Sequence, residues 1–233
     1  TDPRLIPLPG GGAVIDTAGV RKRKSWADDV EYYSYTRTEN AIERADVCVL
    51  LLDATEKSSQ VEKKLASVLE EHYKPTVIAV NKWDLVKGKG QEWVKEFDDK
   101  LRFQLKFLDY VPLIHLSALT GDRAGRVLET VARVAKARRR KVSTSRLNKF
   151  LSQVTASHAP TTKGRKDVRI LYATQPAIEP PEFVIFTNVA TDLHFSYERF
   201  LMNQLREAFG FEGTPIRLKI KRRAKKGRAG EAE

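Results

Sequence analysis

The sequence predicts an α/β fold: a parallel sheet with flanking helices, followed by a small α+β domain. Three observations carry that prediction. Short apolar, β-branched runs recur at Val47–Leu52, Thr76–Val80 and Val111–Leu116, the composition of parallel strands buried on both faces. Each run ends in small or polar residues, at Asp53-Ala54-Thr55, Asn81-Lys82-Trp83-Asp84 and Ser117-Ala118-Leu119. Helix-period patterns fall between the runs, and that alternation gives crossover helices on a parallel sheet.

In chain order, Leu5-Ile6-Pro7-Leu8-Pro9-Gly10-Gly11-Gly12 reads as a strand breaking into a glycine turn, of the hairpin kind. These glycines do not make a phosphate loop, because no Lys-Ser or Lys-Thr follows and no helix opens there. Ala13-Val14-Ile15 is then a strand running into Asp16-Thr17-Ala18-Gly19. Residues 20–29 are basic and then acidic, without a period, and read as a mobile loop. A helix is predicted from Tyr32 to Arg44, with Tyr32, Tyr35 and Ile42 inward. Another spans Ser59 to Tyr73, with Val61, Leu65, Val68 and Leu69 on one face. Glu92 to Leu105 carries Trp93, Val94, Phe97, Leu101 and Leu105 at helical spacing, and Val127 to Ala137 is the helix after the last of the three strands.

Composition shifts at Lys136–Lys141, where Arg138-Arg139-Arg140-Lys141 precedes Ser143-Thr144-Ser145. A domain spanning 1–140, a second spanning 141–221 and a disordered basic tail at 222–233 are expected. In the second domain Ser145 caps a helix through Ser157, with Leu147, Phe150, Leu151 and Val154 on one face. A polar loop at 158–167 leads to a strand at Val168–Thr174, a turn at Pro176–Pro181 and a strand at Phe183–Thr187. Ser196 caps a helix from Tyr197 to Phe209 that Gly210 closes, and Ile216–Ile220 alternates as a half-exposed strand.

Net charge is +12, from 42 Lys and Arg against 30 Asp and Glu. That balance favours a polyanionic partner, nucleic acid ahead of an anionic membrane. The single cysteine, Cys48, rules out an intrachain disulfide and reads as an inert core thiol, with a nucleophile as the alternative. No stretch reaches transmembrane length and the N-terminus lacks signal-peptide architecture, so a cytoplasmic protein without a membrane anchor is expected.

The chemistry lies at strand ends, where open α/β sheets bind ligands. In Asn81-Lys82-Trp83-Asp84 the Asp84 carboxylate can accept from guanine N1–H and the exocyclic amino group. Adenine lacks that donor pair, and a site built for a paired hydrogen bond strongly rejects the analogue without it. Asn81 can bond the opposite edge of the base or brace the loop, and the Lys82 stem can cover a base face. Ser117 and Ala118, followed by Leu119, would sit under the base and offer a backbone N–H to guanine O6. Asp16-x-x-Gly19 supplies a third strand end. Asp16 would hold a Mg²⁺-bound water, and Gly19, with Thr17 and Ala18 before it, lets its N–H approach a γ-phosphate. Each tetrapeptide alone is an ordinary turn. Their order and spacing match the later motifs of a GTP-binding domain.

Longer stretches carry a resemblance. They are Ile15-Asp16-Thr17-Ala18-Gly19-Val20-Arg21-Lys22-Arg23, Val80-Asn81-Lys82-Trp83-Asp84, Phe107-Leu108-Asp109-Tyr110, His194 through Leu201, and Phe209-Gly210-Phe211-Glu212-Gly213-Thr214-Pro215-Ile216. From Ile15 to about Lys221 the chain resembles the Der/EngA family of bacterial ribosome-assembly GTPases, which carry two Era-like GTPase domains and a KH-like domain. The match is to the second GTPase domain and the KH-like domain. The resemblance implies an incomplete P-loop-type GTPase domain, GTP or GDP and Mg²⁺ as cofactors, ribosomal RNA and a ribosomal subunit as partners, a role in large-subunit assembly, and a monomer. Val20 stands where many GTPases place a water-orienting Gln. The resemblance implies a Gln-independent mechanism relying on K⁺; the alternative is that Val20 merely packs inward.

One departure is large. No G-x-x-x-x-G-K-[ST] occurs in these 233 residues, and the family's switch threonine has no counterpart unless Thr1 is its remnant. Residues 7–12 are more similar to the strand before D-T-P-G in a circularly permuted, small-subunit GTPase family. An N-terminally truncated form that binds GTP weakly and hydrolyses it negligibly is expected, because the missing loop supplies most backbone contacts to the phosphates. The alternative reading is a non-catalytic RNA- or ribosome-binding module on a GTPase-like scaffold.

Basic runs at Arg21–Lys24 and Arg138–Lys141 can be solvated charge. The cluster Arg217, Lys219, Lys221, Arg222, Arg223, Lys225, Lys226 and Arg228 is the expected RNA contact. His158 to Lys166 offers only Gly164, not the G-x-x-G of a KH clamp, so contact by shape and backbone, or docking to the GTPase domain, is expected. Tyr172, Tyr197 and Phe200 read as core, and His194 as a capping or loop residue.

Overall fold

In the computed structural model, residues 5–8, 12–16, 38–56, 60–160, 168–189 and 193–223 are described. The chain divides into two compact units: Thr1–Arg140 with Phe211–Pro215, and Lys141–Gly210 with Ile216–Glu233.

The first unit is a five-stranded sheet in the order β1-β2-β3-β4-β5. β1 (Leu5–Leu8) and β2 (Gly12–Asp16) form the antiparallel hairpin expected around the glycines. β3 (Cys48–Asp53), β4 (Thr76–Asn81) and β5 (Leu113–His115) continue from β2 in parallel. Side chains alternate between two cores. Cys48, Leu50, Leu52, Ile78 and Val80 face one way, and Val49, Val77 and Ala79 the other. The first core takes Ile42 from α1 (38–44), Leu65 and Leu69 from α2 (Gln60–Glu71), and Leu101 from α3 (Gly90–Gln104). The second takes Val134 from α4 (Ala124–Arg138). Helices on both faces explain why the strands read as continuous apolar runs. The last strand is shorter than its sequence run, three residues of which pair. Cys48 is fully buried, and burial pushes its thiol up to about 12 against the opposing pull of Lys74 and Arg138, as an inert core thiol requires.

Phe211–Pro215 belongs to this unit although it is far from Arg140 in sequence. Phe211 and Thr214 are fully buried, and Gly213 O accepts from Thr76 N–H at 2.9 Å. Arg133 donates to both Glu212 carboxylate oxygens, at 2.6 and 3.1 Å.

The second unit has the order α5 (Thr144–Ser157), β6 (Ile170–Ile178), β7 (Pro181–Thr187), α6 (Phe195–Phe209), β8 (Arg217–Arg222). Its sheet runs β6-β7-β8, with β6 and β7 antiparallel and β7 and β8 parallel. Phe183 and Ile185 bury one face, and Leu147, Leu151, Val154, Tyr197, Leu201 and Leu205 are the buried helix positions. Several expectations are corrected here. α5 starts before Ser145, with Ser143 at its N-cap. α6 starts before Tyr197, and its N-cap is His194, whose ring accepts from Ser196 N–H. Pro176 lies inside β6 rather than in a turn. β6 is an edge strand and its register shifts between Thr174 and Ala177, the kind of bulge where a proline does no harm. β8 extends through Arg222, so Lys221 and Arg222 are strand residues. Tyr197 is core and its hydroxyl donates to His158 O at 2.8 Å. Tyr172 and Phe200 are only half-buried. Among the described residues no helix is long and apolar enough to cross a membrane.

Candidate nucleotide site

The carboxyl ends of β3, β4 and β5 meet at one edge of the first sheet, and backbone bonds stitch their loops together. Asp53 and Asn81 are register partners. Ala54 N–H donates to Asn81 O at 2.9 Å, and Trp83 N–H donates to Leu116 O at 3.0 Å.

Asn81 Oδ1 accepts from Ala118 N–H at 2.9 Å. Of the two roles open to Asn81, the structure has it bracing the loop. The Ala118 N–H, expected to face guanine O6, is the donor in that brace. Ser117 is buried; its Oγ accepts from Thr120 N–H at 3.2 Å, and its own N–H donates to Asp122 O at 3.0 Å. These bonds fix a compact turn whose tip, Leu119, is 88% exposed.

Lys82 adopts a left-handed conformation (φ 61°), which starts a 3-10 turn over Trp83–Leu85. Its Nζ pairs with Asp53 Oδ2 at 2.7 Å. Asp53 Oδ1 also accepts from Thr55 N–H at 2.9 Å and Thr55 Oγ1 at 2.6 Å. Burial pushes the Asp53 carboxyl up, but the bonds from Lys82 and Thr55 outweigh it, so it titrates below its ordinary 3.8. This depressed value makes the carboxylate a stabilising element above the ordinary value, and the contribution is lost as pH falls through the folded one. Asp53 and Thr55 carried no assigned role in the sequence. The available signal was that β3, too, ends on a polar residue.

Asp84 lies in the same 3-10 turn. Its Oδ1 is buried without a hydrogen-bond partner among the described residues. An unsatisfied buried carboxylate oxygen is costly, and such an atom calls for a functional reason. The turn packs on aromatic rings. Trp83 stacks on His115 at 3.7 Å and 20°, meets Phe97 edge-on at 5.6 Å, and has Trp93 at 6.0 Å. His115 Nε2 is 2.8 Å from Asp98 Oδ1. Aromatic packing thus supports the 3-10 turn.

Asp16 ends β2 and is the register partner of Leu51. It lies two strands from β4, roughly 10 Å away at the usual strand spacing. Thr17, Ala18, Gly19 and Val20 lie outside the described residues. Among the described residues no group of three or more His, Cys, Asp or Glu is placed to hold a metal ion. In the second unit, Arg217 and Lys219 both pair with Glu182, at 3.6 and 2.7 Å, while Lys221, Arg222 and Arg223 are exposed. Lys225, Lys226 and Arg228 lie outside the described residues.

Known proteins match in tandem. Residues 29–137 match the model of the elongation factor Tu GTP-binding domain. Residues 141–221 match the KH-domain-like C-terminal domain of EngA bacterial GTPase enzymes. Curated relatives named GTPase Der include that of Moorella thermoacetica, 45% identical over 210 residues, covering 90% of this chain and 48% of the relative. Those of Alkaliphilus metalliredigens (43% over 204 residues, 88% and 46%) and Fusobacterium nucleatum (40% over 211 residues, 91% and 48%) are similar in extent. The chain spans about half the length of the curated relatives it matches. Aquifex aeolicus Era bound to GDP.AlF4⁻ is a more distant likeness, 15% identical, covering 94% of this chain and 79% of that one at a TM-score of 0.43, too weak to argue from. A GTP-binding-domain match, an EngA-type KH-like match directly after it, and Der relatives aligned across both place this chain in the GTPase Der (EngA) family.

Proposed function

We propose that this chain binds guanine nucleotides at the β3, β4 and β5 strand ends and serves in bacterial ribosome assembly, at the large subunit, in the cytoplasm. The observation that carries the reading is the meeting of Asn81-Lys82-Trp83-Asp84 with Ser117-Ala118 at neighbouring strand ends, closed by the Asn81 Oδ1–Ala118 N–H bond beside a turn in which Trp83 stacks on His115. A donor pair on a planar base suits the Asp84 carboxylate. Asn81 and Ala118 would exchange their mutual bond for bonds to the base edge, and Lys82, steadied by Asp53, would lay its stem along a base face. Asp16 would fix Mg²⁺ through a water, Thr17 to Gly19 would meet the phosphates, and K⁺ would stand in for the missing Gln at Val20. The second unit supplies the RNA-facing charge, and the chain acts as a monomer.

Titration with fluorescent GDP, chased by unlabelled GDP or ADP, tests the guanine reading. GDP is expected to displace the probe and ADP to leave it bound; equal displacement by both contradicts the proposal. Asp53→Asn is expected to weaken GDP binding about 2- to 5-fold by loosening Lys82, an effect in the range of a partly exposed ion pair. Unchanged affinity would remove Asp53 from the site.

The second reading, a non-catalytic ribosome-binding module, draws on one observation. These 233 residues hold no G-x-x-x-x-G-K-[ST] to cradle phosphates. GTP turnover by this chain is therefore expected to stay near the uncatalysed rate, with co-sedimentation with ribosomes that weakens steeply as salt rises. Rapid turnover would reject this reading.

A further inference from the structure

The sheet of the second unit has two unlike faces. One buries Phe183 and Ile185. On the other, strand register lays out cross-strand rows. Tyr172, Phe186 and Lys221 form one row, Thr174, Val184 and Lys219 the next, and Glu182 and Arg217 a third. Tyr172 and Phe186 are half-buried, and their rings stack at 4.4 Å and 14°. Among the described residues β6 is an edge strand, with Asn148 of α5 exchanging hydrogen bonds with the Ala173 backbone at 2.8 and 3.1 Å along that edge. Glu182 pairs with Arg217 and Lys219 and holds their heads on this face. Lys219 draws the Glu182 carboxyl below its usual range, ahead of the opposing effect of burial.

Three cations against one carboxylate leave this face positive. Aromatic rings beside a row of cations are what unpaired nucleotides require: each base offers a π-face and each phosphate a negative charge. A double helix keeps its bases stacked on each other and cannot use the rings. β6 and β8 lie two strand spacings apart, roughly 10 Å, a span that a base, its ribose and its phosphate bridge with help from a lysine stem.

We infer that this sheet face binds single-stranded RNA, with a base stacked on the Tyr172–Phe186 pair and flanking phosphates on Lys221, Lys219 and Arg217. This mode differs from a G-x-x-G clamp, and it replaces the core role that the sequence suggested for Tyr172. It deepens the RNA part of the proposed function and is independent of the guanine part.

Anisotropy titration of the full chain with a short labelled single-stranded RNA, at several salt concentrations, tests it. Tyr172→Leu is expected to weaken binding about tenfold at every salt concentration without changing the salt slope. Tyr172→Phe keeps the ring and should bind as the unaltered chain does. The pair Lys219→Gln and Lys221→Gln should instead flatten the slope. Duplex RNA should not distinguish Tyr172→Leu from the unaltered chain. Crosslinking with 5-bromouridine RNA reads the same contact without a substitution and is expected to mark Tyr172 or Phe186. Wild-type affinity in Tyr172→Leu, an equal loss for duplex, or crosslinks confined to other residues would overturn the inference. A chain that binds RNA through other residues overturns this inference and leaves the RNA part of the proposed function standing, and one that binds RNA but not GDP loses only the guanine claim.

Discussion

Asp84→Asn is expected to lower GDP affinity about a hundredfold and to raise affinity for xanthosine diphosphate. The first effect follows from hydrogen-bond chemistry. Guanine presents two donors, N1–H and the exocyclic amino group, and an amide side chain can accept from only one while its NH₂ opposes the other. Sites built around such pairs discriminate steeply. The second effect follows from the same geometry, because xanthine carries a carbonyl where guanine carries the amino group and so can accept from the new amide. The 3-10 turn itself should be undisturbed, since Trp83, His115 and Phe97 hold it from below. Competition against fluorescent GDP by the two nucleotides checks both halves. If the substitution weakens both nucleotides equally, Asp84 supports the loop rather than reading the base.

Gly213→Ala is expected to destabilise the first unit by roughly 2–4 kcal/mol, combining overpacking with a left-handed backbone. Gly213 has φ 62°, and a Cβ there would lie 2.8 Å from Val134 Cγ2, 2.9 Å from Thr76 O and 3.0 Å from Pro112 Cδ. The backbone oxygen cannot turn aside as a side-chain tip could, and the Gly213 O bond to Thr76 N–H at the start of β4 constrains any shift. Gly125→Ala is the contrast: a Cβ there meets nothing within 4 Å, and the position is helical. It should be neutral or stabilising by about 0.5–1 kcal/mol. Thermal unfolding of the two variants beside the unaltered chain separates them. Equal midpoints for both would mean that Phe211–Pro215 contributes nothing to the unit's stability.

Much of the first unit was legible because its strands are apolar on both faces and its helices keep strict spacing. Leu65, Val68, Leu69, Leu101 and Leu105 fell on buried faces as that spacing requires. Strand ends were legible too, since a polar residue closing an apolar run is a local signal. What local pattern could not convey was who pairs with whom. The Asn81–Ala118 brace joins residues 37 positions apart, and Lys82 reaching Asp53 depends on the register of two parallel strands. The course of β6 through Pro176 was hidden because a proline signals a turn unless the strand is known to lie at an edge. Tyr172 was misjudged for a related reason. An aromatic at strand spacing fits either face of a sheet, and only its pairing with Phe186 and the row containing Lys221 shows which.

Comparing GDP with inosine diphosphate on the unaltered chain tests most directly whether Asp84 reads guanine through two hydrogen bonds. Inosine keeps N1–H and O6 but lacks the exocyclic amino group. Inosine diphosphate is expected to bind about tenfold or more weakly than GDP, the cost of one bond to a charged acceptor. Equal affinity for the two nucleotides would contradict it.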